Sequence, residues 1–138
     1  MALLARAPLG ALETAWQELE AKPDYVLLRK PETGLCMVRA RAGGVGMRFN
    51  LGEMTMTRAA VRLASGTVGH GIVAGRKARH AELAALFDGL LQEPRHRPAL
   101  ERRLIDRIES ALEAARQKVS AKVAATKVDF LALVRGED

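Results

Sequence analysis

The chain has 138 residues, with Lys and Arg outnumbering Asp and Glu 22 to 16 and a mean hydropathy of −0.04. Such a length is one domain, here residues 1–138, with room for a core, and 49% apolar content excludes a disordered chain. A lone cysteine, Cys36, excludes an internal disulfide and a cysteine-based zinc cage, and it fits a reducing, cytoplasmic setting.

Acidic Glu13 arrives before any usable hydrophobic region, so the N-terminus is not read as a signal peptide. No stretch approaches the roughly 18 apolar residues that span a membrane. Leu9, Leu12, Trp16 and Leu19 recur at three- and four-residue steps, which predicts an amphipathic helix over 8–21 that ends at Lys22-Pro23.

From Asp24 the period changes to two. Residues 24–30 and 35–41 alternate on either side of Pro31-Glu32-Thr33-Gly34, a turn sequence, and are expected to pair as a hairpin. Ala42-Gly43-Gly44-Val45-Gly46 reads as a loop. Residues 47–51 and 54–64 read as strand-like, with a kink or bulge at Gly52, and Ser65-Gly66 turns the chain into a last strand over 67–74. The expected middle is an antiparallel meander of about four or five strands (residues 24–75), flanked by an N-terminal helix and C-terminal helices in an α+β fold. Cys36, in mid-strand, is expected to be buried and inert.

Helical spacing returns over 77–92, and Pro98 is placed to open another helix. Leu100, Leu104, Ile108, Leu112, Ala115, Val119 and Val123 then form a narrow stripe. A helix of about 25 residues would be nearly 40 Å long, at about 1.5 Å per residue, and would overhang so small a body. Residues 98–138 are therefore expected to form a helical arm. Its interface candidates are Leu104, Ile108, Leu112, Val119, Val123, Phe130, Val134 and Arg135. The other course is a break near Ser120, with the chain folding back on the sheet.

The charge is uneven. Residues 24–80 hold ten Lys/Arg against three Asp/Glu, so this segment carries the entire positive excess. On a strand over 54–64, Arg58 and Arg62 share a face, about 13 Å apart, while Arg39 and Arg41 share one with Leu35 and Met37. Aligned arginines repel unless solvated or paired. Arg58, Arg62, Arg39 and Arg41, with the flexible backbone of Gly43, Gly44 and Gly46, are therefore candidates for an anion or a partner's carboxylates. A solvated sheet face explains any one arginine equally well. The glycine loop lacks the lysine and hydroxyl of a phosphate-binding loop.

His70, His80 and His96 have no metal-ligand spacing, so no metal site is expected, and no serine or cysteine context nominates a nucleophile. The isoelectric point near 10.1 raises nucleic acid, but only Tyr25 and Phe49 lie in the basic segment, too few for a stacking platform. A free-standing basic module for a nucleotide or nucleic acid remains the alternative reading.

Several of these motifs occur together in a familiar order. They are Glu32-Thr33-Gly34-Leu35, Gly43-Gly44-Val45-Gly46-Met47-Arg48-Phe49, Thr57-Arg58-Ala59-Ala60-Val61-Arg62-Leu63, Gly66-Thr67-Val68-Gly69, Gly75-Arg76, His80-Ala81-Glu82, and the closing Val128-Asp129-Phe130 and Val134-Arg135-Gly136. The series resembles the PhnG family, the G subunit of the bacterial carbon–phosphorus lyase core complex. The resemblance implies a cytoplasmic subunit acting with H, I and J subunits, most closely the I subunit, and no nucleic acid or membrane as partner. It implies support for the attack of a phosphonate on the ribose C1′ of ATP, with loss of adenine. It implies no cofactor held by this chain alone: ATP is a substrate of the complex, and an iron–sulfur cluster and S-adenosylmethionine belong to another subunit. It assigns no catalytic residue here.

Overall fold

A computed structural model describes residues 1–126. Two short helices, α1 (Ala2–Arg6) and α2 (Leu9–Gln17), precede three strands, β1 (Tyr25–Arg41), β2 (Arg48–Leu63) and β3 (Val68–Ala74). Then follow α3 (Ala78–Gln92), the short α4 (Arg97–Leu100), a π-helical turn over Glu101–Ile105 and α5 (Asp106–Ala125). The architecture is α+β as expected, but the described residues form three strands in the order β1-β2-β3, all antiparallel, not four or five.

The miscount has a physical cause. Pro31-Glu32-Thr33-Gly34 is not a turn: β1 runs straight through it as an edge strand. Proline has no N–H to give to a ladder, and an edge strand with irregular pairing tolerates that loss. The register slips by one residue between Leu27 and Arg29 and again between Arg29 and Glu32. A third slip, between Val38 and Arg39, leaves Leu51 as the extra residue of β2, beside the Gly52 where a bulge is expected. The turn at Ser65-Gly66 forms as read, with Gly66 at φ +90°.

One face of the sheet is closed by α3. Thr57, Ala59, Val61 and Leu63 of β2 and Val73 of β3 are buried there against Ala81, Ala84, Ala85 and Phe87. The closest approach is at β3. A Cβ on Gly71 would lie 2.0 Å from the Ala81 carbonyl oxygen, and one on Gly69 would lie 2.0 Å from that of Ala85. The helix also ties off the outer edge of β3. Asp88 Oδ2 accepts from the His70 backbone N–H at 3.0 Å, and Gln92 Nε2 donates to the Val68 carbonyl at 3.0 Å.

The sequence reading did not anticipate α1. Its Leu4 is fully buried, and the Leu4 carbonyl lies 2.8 Å from Nε2 of His80, so His80 is a core residue that holds the N-terminus. Trp16 of α2 meets Tyr25 and Phe87 edge-on, at 6.3 and 6.4 Å between centroids. At the other end, buried Glu93 accepts from Ser65 Oγ and from Arg95 Nε, joining the β2–β3 turn to the end of α3.

Pro98 stands in the first turn of α4, as read. The helix does not break at Ser120 but continues to Ala125. Leu104 and Ile108 belong to the core of this chain, which takes them out of any overhanging surface, and Leu112 is half-buried beside them. Residues 113–125 are exposed throughout, with Val119 and Val123 at 64% and 63%, and project for roughly 20 Å. Phe130, Val134 and Arg135 lie outside the described residues. Among the described residues no helix is long and apolar enough to cross a membrane.

The β3–α3 contact yields a direct test. Gly71→Ala forces strand and helix backbones apart and is expected to destabilise the protein by about 3 kcal/mol, read as a lower urea midpoint. Gly34→Ala, where an added Cβ meets nothing within 4 Å, should leave that midpoint unchanged or slightly raised.

Candidate functional site

Among the described residues, no element covers the face of the sheet opposite α3. Alternation along β2 buries Thr57, Ala59, Val61 and Leu63 and turns Arg58 and Arg62 to the open side, so the two arginines share a face as the period predicts. A groove of about 500 Å³ runs over this side, lined in part by Glu32, Cys36, Met56, Arg58 and Ile72. A shallower one of about 390 Å³ adjoins it across Arg58 and Ile72 and is walled by Leu28, Arg29 and His70. Cys36, expected to be buried, is exposed here because, among the described residues, nothing packs on this side of β1.

Arg58 stands between the two grooves and is not alone. The register places Glu32 directly opposite it, and Glu32 Oε1 accepts from Arg58 Nε and Arg29 Nη1, both at 2.5 Å. Hydrogen bonds from Arg29 first and Arg58 second hold the Glu32 carboxyl below the ordinary value of 4.5. One carboxylate against two guanidinium groups leaves a local excess of one positive charge. A phosphate or partner carboxylate arriving at Arg58 has to displace Glu32 or share the guanidinium with it. Arg62 pairs across the ladder with Val26 and Val68 and, among the described residues, forms no ion pair.

The remaining basic candidates lie elsewhere. Arg39 and Arg41 are on the far part of β1, with Arg41 opposite Arg48, and Gly43, Gly44 and Gly46 form the loop beyond them. Arg48 and Arg58 are ten positions apart on one strand, which is roughly 33 Å of extended chain. The candidate arginines therefore fall into two separate clusters, not one. Sequence reasoning missed Arg29 and Glu32 in the first and Arg48 in the second. Reading 24–41 as a single strand would have placed Arg48 opposite Arg41, but Glu32 meets Arg58 only through the register slip at Leu51.

Among the described residues, no three His, Cys, Asp or Glu side chains come together in a way that could hold a metal ion. His70 is exposed on β3, His80 is buried at α1, and His96 approaches Glu93 at 3.5 Å.

A family model described as phosphonate metabolism protein PhnG matches residues 1–136. The chain is also 49% identical, over its whole length and 88% of the relative's, to the alpha-D-ribose 1-methylphosphonate 5-triphosphate synthase subunit PhnG of Rhizobium meliloti (strain 1021).

The arginine–glutamate cluster sets a pH-dependent signal. Because the folded Glu32 pKa lies below the unfolded one, its pairing adds stability above pH 4.5 that is lost as pH falls through the folded value. A carboxyl NMR titration should place the Glu32 midpoint below 4.5. Arg29→Ala should move it up further than Arg58→Ala; an unshifted midpoint in wild type would mean the pairing is absent in solution.

Proposed function

Since this chain belongs to the PhnG family of phosphonate metabolism proteins, we propose that it serves as the G subunit of an alpha-D-ribose 1-methylphosphonate 5-triphosphate synthase. The observation that carries the reading is the 49% identity to a named subunit of that synthase across every residue of this chain. In the reaction, a phosphonate oxygen forms a bond to the ribose C1′ of ATP. The C1′–N9 bond breaks, adenine leaves with the bonding pair and takes up a proton, and the triphosphate stays on the 5′ carbon.

On this reading the chain acts within an assembly of H, I and J subunits, most closely with the I subunit, while iron–sulfur and S-adenosylmethionine chemistry belongs to another member. Its contribution is electrostatic. Both substrates are polyanions, and the open sheet face offers Arg29, Arg58 and Arg62 with, among the described residues, only Glu32 in return. A partner closing over that face would exclude water and strengthen each of those charges. The exposed stretch of α5 with Val119 and Val123 supplies a second, apolar contact for assembly.

The test is made on the co-expressed complex. Arg58→Ala and Arg62→Ala, singly and together, are expected to lower adenine release from ATP plus methylphosphonate by tenfold or more, or to prevent assembly. Wild-type rates from a fully assembled double variant would remove these arginines from the reading. Tight, salt-sensitive retention of the isolated monomer on a DNA or ATP matrix would instead favour a free-standing binding module.

A further inference from the structure

Beyond the end of β3, strands β1 and β2 continue as a two-stranded ribbon, because β3 pairs only with Met56–Arg62 of β2. The ribbon ends in a tight, glycine-rich loop. Gly43 and Gly44 take φ of +57° and +81°, and the Gly46 N–H donates to the Ala42 carbonyl at 2.9 Å. A side chain at Gly46 would meet that carbonyl oxygen at 2.6 Å, and Arg41 Nη1 donates to the Gly46 carbonyl. This tight loop holds out two apolar side chains, Val45 and Met47, 93% and 89% exposed.

Directly behind them, Arg41 faces Arg48 across the ladder and Arg39 follows two residues along the same side of β1. Among the described residues none of the three forms an ion pair. Like charges directly opposite on a ladder repel; with Glu53, opposite Met37, as the acid on that side, the tip still holds a net positive charge behind an apolar point. The opposite side of the ribbon, with Val38, Ala40 and Phe49, carries no charge along β1.

We propose that this tip is a docking plug that inserts Val45 and Met47 into an apolar pocket rimmed by Asp and Glu on a companion protein subunit. The proposal rests on the subunit reading above and adds the surface and the chemistry of its receptor. Charge complementarity selects the occupant. Carboxylates offset Arg39, Arg41 and Arg48, while the apolar pair needs a pocket that excludes water. A phosphate backbone supplies the first but not the second, and Phe49 alone is no stacking platform for bases.

The test uses the tagged full chain co-expressed with its companion subunits. The Val45→Asp/Met47→Asp double variant and the Arg39→Glu/Arg41→Glu/Arg48→Glu triple variant should each recover at least tenfold less companion protein than wild type. Both should keep the wild-type far-UV spectrum and urea midpoint, since the loop is outside the core. A photo-crosslinking residue at position 45 should join the chain to a companion subunit. Undiminished recovery by both variants, or crosslinking at 45 only to nucleic acid or to a second copy, overturns the plug while leaving the subunit reading intact. A wild-type chain that recovers no companion at all sinks the subunit reading itself.

Discussion

Gly71 sits so close to α3 that the Ala81 carbonyl occupies the space a side chain would need, and much of the layout follows from that contact. Gly69 and Gly71 lower the helix onto the strand, and Ala81, Ala85 and Gly89 give it a matching narrow side. A helix held this near seals one face of the sheet with small residues, which is how a core with few aromatics becomes dense. It also binds the outer edge of β3 through Asp88 and Gln92. But β3 has only seven residues, while β1 and β2 have 17 and 16. The helix therefore covers only the near half of the long strands, and among the described residues the far half is a ribbon with nothing beneath it.

That division explains which parts of the fold could be read from sequence. The helical spacing over 77–92, the turn at Ser65-Gly66 and the inward set Thr57, Ala59, Val61 and Leu63 are local patterns, and local patterns survive folding. Pro31-Glu32-Thr33-Gly34 misled because the same residues that make a turn also suit a bulged edge strand. Only the neighbour across the ladder decides between them. Cys36 reads as buried because a free cysteine in mid-strand is usually a small core residue; among the described residues nothing covers this half of β1, and the thiol is exposed. Helix α1 has five residues, too short for a period to show.

The charge was legible as a count and illegible as a geometry. Ten cations in one segment announced a basic surface, yet the three register slips decide how they are grouped. They bring Glu32 opposite Arg58, so the arginine that looked most available is already engaged. They also bring Arg48 opposite Arg41, far from Arg58 along the strand. A slip of one residue exchanges the two faces of a strand, and no residue type marks such slips unambiguously. The stripe on the C-terminal helices divides in the same manner. Leu104 and Ile108 face the body, and the exposed surface begins only where the body ends.

The ribbon also bears on how much of this protein a cell should make. On its far half, β1 and β2 are hydrogen-bonded only to each other, so both outer backbone edges are unpaired among the described residues. Open edges beside exposed Leu35, Met37 and Leu51 invite a second ribbon to add as a further strand, at a rate rising with the square of free-chain concentration. Pro31 blunts the edge of β1, and the arginines at the tip repel a second copy, as gatekeepers do in aggregation-prone strands. Those devices thin out between Gly34 and Val38. Synthesis in step with a subunit that covers the ribbon would keep the free chain dilute.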